Sequence, residues 1–221
     1  MTTTGNLPGT DAARHGRGDA DLTIMLAAHD AFRRDLTRLV RTASAADLSD
    51  PARRRSVAAG WELFKHQLHL HHTAEDEVIW PALRPRLAHS EHALSVLAAM
   101  EEEHERIDPL LAAVDTAFAQ RGDNSLADVI DALVSTLTGH LGHEERDGLP
   151  LIGVALTAAE WRRVGFKIAR RNGMSEGGEM FAWILDGADG DAAATLRALP
   201  PPLRLLYKAV WKPRFSKTQR W

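Results

Sequence analysis

The 221-residue chain has no cysteine, a single tyrosine and only 6% aromatic residues. Without cysteine there are no disulfides, thiolate metal sites, iron–sulfur clusters or thiol nucleophiles. The same absence agrees with a reducing compartment, and a cytoplasmic location is expected. No run approaches the roughly 18 apolar residues of a membrane-spanning helix. Residues 1–20 are small, polar and dotted with glycine, without the apolar stretch of a secretory signal, and read as a flexible lead. Alternating apolar–polar runs are nearly absent too, which removes β architectures. Disorder is excluded from the other side. The 44% apolar residues can form a core and the 26% charged residues can solvate its surface, enough for one domain with an appendage.

What the chain has in plenty is histidine, eleven in all, which raises the question of a metal. Its formal charge of −3 is unevenly spread. Leu199 to Trp221 contains no acid and six bases, Arg204, Lys208, Lys212, Arg214, Lys217 and Arg220. Of the 27 bases, 21 therefore remain in the first 198 residues against all 30 acids. An acidic body argues against nucleic-acid binding by the bundle.

Helical periodicity is sustained in four segments. The first covers about Asp21 to Thr42, with Leu22, Met25, His29, Phe32, Leu36 and Leu39 on one stripe. The second opens at Ser49-Asp50-Pro51, a cap followed by an early-helix proline, and carries Val57, Trp61, Phe64, Leu68, His71, Glu75 and Val78 until Pro81 ends it. The third covers about Ser90 to Arg121, with Leu97, Met100, His104, Ile107, Leu111, Val114 and Phe118, and Gly122 stops it. The fourth opens at Asn124 or Ser125, carries Leu126, Ile130, Leu133, Leu137, His140 and Glu144, and ends before Pro150. Four such helices with short connections make an all-α, up-down-up-down four-helix bundle over residues 21–152. A helical C-terminal segment, residues 153–221, follows.

Six polar residues occupy stripe positions that should be core: His29, His71, Glu75, His104, His140 and Glu144. An i,i+4 spacing puts His71 and Glu75, and likewise His140 and Glu144, on one helix face. Buried carboxylates need neutralising, and neutral imidazoles cannot supply the charge, whereas cations can. Nitrogen and oxygen donors without thiolate suit iron, manganese or zinc. Two carboxylates able to bridge, with imidazoles for both ends, suit two ions better than one. The arrangement is also duplicated. His71-x3-Glu75-x5-Pro81 is matched by His140-x3-Glu144-x5-Pro150, and lone histidines precede them, His29 by 42 residues and His104 by 36.

His29-Asp30 stands in the first helix and His71-His72-Thr73-Ala74-Glu75-Asp76-Glu77-Val78-Ile79-Trp80-Pro81 in the second. Glu103-His104-Glu105 stands in the third, and His140-Leu141-Gly142-His143-Glu144-Glu145 through Leu149-Pro150 in the fourth. Together, over about Asp21 to Ile152, these elements resemble the hemerythrin-like, or HHE, cation-binding domain family. Leu156-Thr157-Ala158-Ala159-Glu160-Trp161 looks like its actinobacterial members. The resemblance implies a non-heme di-iron centre, two irons per chain joined by an oxo or hydroxo bridge. His29, His71, His104 and His140 would be terminal ligands, with Glu75 and Glu144 bridging.

The chain departs from the oxygen-carrying hemerythrins in two places. Met100 or Asp108 stands where they have a second third-helix histidine, and Glu144 follows His140 by four residues where they have an aspartate at five. One ligand fewer implies an open position, hence chemistry with dioxygen, peroxide or nitric oxide and a sensing or stress-response role rather than oxygen transport alone. A peroxide-consuming, catalase- or peroxidase-like enzyme and an iron store or donor are the alternatives. A ferritin-like carboxylate site needs two Glu-x-x-His motifs, and Glu101-x-x-His104 is the only match among the four helices.

The remaining candidates carry smaller roles. His66, His69, His72 and His143 lie off the stripes, with His72 and His143 placed to support neighbouring ligands. Asp76 and Asp147 could orient imidazoles, Asp108 could be a seventh ligand, and Glu77 and Glu145 read as solvated. His15, His89 and His92 read as surface residues. Beyond Pro150, Thr157-x-x-Glu160 signals a capped fifth helix reaching about Arg171, with breaks at Asn172-Gly173 and Gly177-Gly178. Short helices are expected at 179–186 and 192–199. The basic segment 203–211 has Leu203, Leu206, Tyr207, Val210 and Trp211 on its apolar side. It should pack on the bundle as a cap, the alternative being a dock for an acidic protein or an anionic membrane surface.

Overall fold

The computed structural model describes residues 20–45, 50–119, 125–187 and 192–221. The expected lead and His15 thus fall outside the described residues, except for Ala20, as do Arg121, Gly122 and Asn124. The bundle consists of α1 (Thr23–Ala45), α2 (Pro51–Ala74) with α3 (Trp80–Leu83), α4 (Glu91–Ala119), and α5 (Ser125–His143) with α6 (Leu149–Ala155). Four more helices follow: α7 (Ala158–Ile184), α8 (Ala192–Ala198), α9 (Pro201–Leu206) and α10 (Lys212–Phe215). Among the described residues no helix is long and apolar enough to cross a membrane.

The signals at the helix starts act as the sequence suggests. Asp50 caps α2, its carboxylate accepting from Ala52 N at 3.0 Å and Arg53 N at 3.3 Å, with Pro51 in the first turn. At α7 a reciprocal cap forms: Glu160 N donates to Thr157 Oγ1 at 3.4 Å, and Thr157 N donates to Glu160 Oε2 at 2.9 Å.

The prolines behave differently from expectation. Neither Pro81 nor Pro150 ends its helix. A π-helical turn, Glu75–Ile79 or Glu144–Gly148, precedes each, and helix continues beyond as α3 or α6. The residue before each proline bonds five back, Trp80 N to Glu75 O and Leu149 N to Glu144 O. Proline lacks an N–H and its ring crowds the carbonyl four residues back. The wider turn removes that conflict and leaves the proline near the start of a new α segment, where a missing N–H costs little. A third case, Tyr207–Trp211 before Pro213, obeys the same rule.

Two apolar clusters form the bundle's interior. One gathers Phe32, Leu36, Trp61, Phe64, Ile107 and Leu133; the other gathers Leu22, Trp80, Leu83, Leu97, Met100 and Ile152. Along α2 and α4 the polar residues 71–75 and 104 lie between the two sets in sequence, and along α1 and α5 residues 29 and 140–144 fall at the change from one set to the other.

The C-terminal helices pack on the bundle. Gly173, at φ 82°, kinks α7, but Gly177 and Gly178 stay helical instead of breaking it. Beyond the kink Trp183 is buried against Phe32, ring centroids 4.8 Å apart, and its Nε1 donates to buried Asp35 at 2.8 Å. Trp211 lies so close to Gly178 that no side chain would fit there. Trp221 covers Gly60 in the same way, and its backbone N donates to Ser56 O at 3.1 Å.

Candidate metal centre

The structure brings all six stripe residues into one buried layer. His29, Glu75 and Glu144 are fully buried, and His71, His104 and His140 nearly so. Helix α1 supplies His29, α2 with its π turn supplies His71 and Glu75, α4 supplies His104, and α5 with its π turn supplies His140 and Glu144. Both carboxylates sit at the first residue of a π turn, a deformation frequent at functional sites.

A seventh residue joins them that the stripe places outside. His72 is buried, its ring stacked on His104 with centroids 3.9 Å apart and edge-on to His140 at 5.5 Å. Successive helical residues point about 100° apart, so His71 and His72 straddle the face toward the bundle axis. The donors then fall into two groups, each with ligand atoms within 4.8 Å of one another. One is His72, His104 and His140; the other is His29, His71, Glu75 and Glu144. The carboxylates lie between. Glu75 has Oε1 3.1 Å from His71 Nε2 and Oε2 3.4 Å from His104 Nε2. Glu144 Oε2 is 3.1 Å from His29 Nε2 and 4.0 Å from His140 Nε2.

Three of the imidazoles are oriented by carboxylates behind them. His29 Nδ1 lies 2.9 Å from Glu145, His104 Nδ1 2.9 Å from Asp76, and His140 Nδ1 2.9 Å from Glu103. In His104 and His140 the Nδ1 then carries the donated proton, which leaves the Nε2 lone pair facing the centre. His29 Nε2 lies 3.1 Å from Glu144, and a cation would take the place of its proton. Asp76 matches its expected role. Glu145 is half-buried between His29 and Arg33 instead of solvated. Glu103, which also takes His143 Nδ1 at 2.9 Å, was not assigned a role by the sequence. The duplication contained that signal for Glu145. The acid after each motif glutamate, Asp76 or Glu145, holds the lone histidine of the opposite hairpin.

The electrostatics show strain that a cation would relieve. Burial, and then the charge of Glu144, push the Glu75 carboxyl well above its usual range. Burial acts on Glu144 too, but His29, His71 and His140 outweigh it and hold that carboxyl at about 2. Burial opposes a charged His29, yet Glu144 and Glu145 raise it to about 9. His71 and His72 are pushed well down, by burial first and then by their imidazole neighbours. Both oxygens of Glu75 and of Glu144, and Nε2 of His72, His104 and His140, are buried without a hydrogen-bond partner. Seven orphaned acceptors converging on one spot are costly in a folded protein, and they suit bound cations.

The remaining candidates lie apart. Asp108 is exposed and in neither group, Met100 is apolar core, and His89 and His92 are exposed. His143 is partly exposed and 3.6 Å from Asp147. Glu77 is exposed and paired with Arg171. A third group, His66 with Glu176 and Glu179, is a surface contact between α2 and α7, His66 Nε2 lying 2.6 Å from Glu176.

No curated protein and no solved structure matches the chain. A family model, described as the hemerythrin HHE cation binding domain, matches residues 20–152, more than half of it. That span is the bundle that carries both buried donor groups, and the chain belongs to the hemerythrin HHE cation-binding domain family.

Proposed function

We propose that the chain holds two iron ions and that this pair binds or reacts with dioxygen, peroxide or nitric oxide. The observation that carries the reading is the pair of fully buried carboxylates, Glu75 and Glu144, each lying between two sets of imidazoles with its oxygens unsatisfied. His72, His104 and His140 would serve one ion, His29 and His71 the other, with both carboxylates shared. Bound there, the irons supply redox capacity and Lewis acidity that no side chain of this protein has.

The chain's own residues set the terms. Four imidazoles would leave both ends short; His72 brings one end to three, which confines the shortage to the His29–His71 end. The ion at that end would have the fewer protein donors, and a small molecule would complete its set. Its surroundings are apolar: Phe32 packs on His71, centroids 5.2 Å apart, and Trp183 backs Phe32. Such a wall excludes water and suits a small, weakly polar ligand.

Peroxide consumption is a second reading, favoured by a row of polar groups from the surface inward. Exposed Asp147 faces His143, which donates to Glu103, which also accepts from His140. Such a row can exchange a proton with solvent beside the centre and so adjust the charge of the His140 imidazole as peroxide is turned over. Metal analysis of protein purified without chelator, with an absorption spectrum and a peroxide titration, tests both readings. Two irons per chain with near-ultraviolet charge-transfer bands are expected. Folded protein that also refuses ferrous iron under anaerobic conditions overturns the assignment. Sustained peroxide turnover selects the enzyme; stoichiometric change without turnover selects binding.

A further inference from the structure

A cavity of about 420 Å3 opens between α2 and α4, lined by Leu68, His69, His72, Thr73 and Asp76 on one side and Glu101, His104, Glu105, Asp108 and Leu111 on the other. Its floor is the stacked pair His72 and His104, 7% and 5% exposed, whose Nε2 atoms have no hydrogen-bond partner. Its walls hold four carboxylates and no lysine or arginine. Asp76 is engaged by His104 and Glu101 by Arg84, whereas Glu105 and Asp108 are exposed and, among the described residues, in no ion pair. Pro109 adds to the negative character: within α4 it has no N–H to give the Glu105 carbonyl four residues back, so that oxygen lacks its helical partner. The other end of the centre differs. Its approach along α1 is occupied by Arg33, paired with Glu145 at 2.7 Å, and closed by Phe32 and Trp183.

We propose that the α2–α4 cavity is the inlet through which metal cations reach the centre, with Glu105 and Asp108 as the groups that draw them in. The inference rests on the two-ion reading above. An acidic cleft concentrates cations, and its effect on association weakens with salt. From there the unsatisfied imidazoles of His72 and His104 are the next donors a cation meets. Glu105 and Asp108 act on the rate of loading and take no part in the loaded centre.

The test is stopped-flow loading of metal-free full-length protein with cobalt(II), followed by its visible absorption. Wild type is compared with Glu105→Gln/Asp108→Asn and with Asp128→Asn/Asp131→Asn, which removes the same charge from the exposed face of α5. The inlet variant is expected to load about tenfold more slowly at low ionic strength. Its deficit should shrink as salt is raised, and its final stoichiometry and spectrum should equal those of wild type. The α5 variant should load like wild type. Equal rates for all three, or an equal slowing of both variants, overturn the inlet while the centre stands. A wild-type protein that takes up no cobalt overturns the centre and the inlet together. Circular dichroism of the metal-free variants excludes misfolding as the cause of slow loading.

Discussion

His71 and His72 are neighbours in sequence, yet their rings fall in different donor groups. Replacing His72 by alanine should lower cobalt or ferrous-iron affinity by about a hundredfold or more, beyond the loss typical of a supporting residue. His69→Ala, one turn away on the exposed side, should change it less than threefold in the same equilibrium titration. Equal affinities for the two variants would remove His72 from the ligand set. Gly148 is a second residue whose identity is set by the site. A Cβ there would lie 3.1 Å from Glu144 Cγ and 3.4 Å from Met100 Sδ, both fully buried. Gly148→Ala should therefore cost about 1–3 kcal/mol of stability by overpacking, read from denaturant melts of the metal-free protein.

At the scale of elements, the duplicated hairpin makes a symmetric demand. Asp76 and Glu145 each follow the motif glutamate inside a π turn and each hold a histidine of another helix. Asp76→Asn and Glu145→Gln should each weaken metal binding about 10–100-fold while the far-ultraviolet spectrum is unchanged. A large effect from one and none from the other would deny the pairing. The α6–α7 junction makes a prediction in pH. Glu160 accepts from Arg86 and from the backbone and hydroxyl of Thr157, which together hold its carboxyl at about 2. A depressed carboxylate contributes stability above its unfolded value near 4.5, and loses it as pH falls through about 2. Carbon-detected NMR should place the Glu160 midpoint near 2, and Thr157→Ala should raise it. A wild-type midpoint at 4.5 would contradict the cap.

For the whole molecule, the C-terminal segment is part of the packing. Tyr207 is buried against Ala182 and Leu185, and Phe215 and Trp221 pack against the main cluster. Removing residues 199–221 should cost about 3 kcal/mol of burial, given that Phe215 and Trp221 are only partly buried. For a chain of this size that lowers Tm by roughly 6–12 °C. An unchanged Tm would return the segment to the role of a dock for an acidic partner. Metal should act in the opposite sense, since it binds only the folded centre, and chelation should lower Tm.

The sequence by itself determined the helices, the polar layer and six of its seven residues, because helical period and burial are local regularities. A polar side chain in an apolar stripe is visible without coordinates. It also determined both caps and the start of α7, whose hydrogen bonds span only three residues. Pro81 and Pro150 misled as helix ends because the relief they receive, a turn bonded five residues back, is not written in residue type. His72, Glu103 and Glu145 needed the tertiary structure. Their roles depend on which neighbouring helix faces them and at what distance, and a stripe reports only a residue's own helix. The cavity between α2 and α4 was decided the same way, since the space between two helices belongs to neither sequence. Gly178 and Gly60 make the point for the C-terminal segment. Nothing in their own surroundings along the chain foretells the indoles of Trp211 and Trp221 that lie against them.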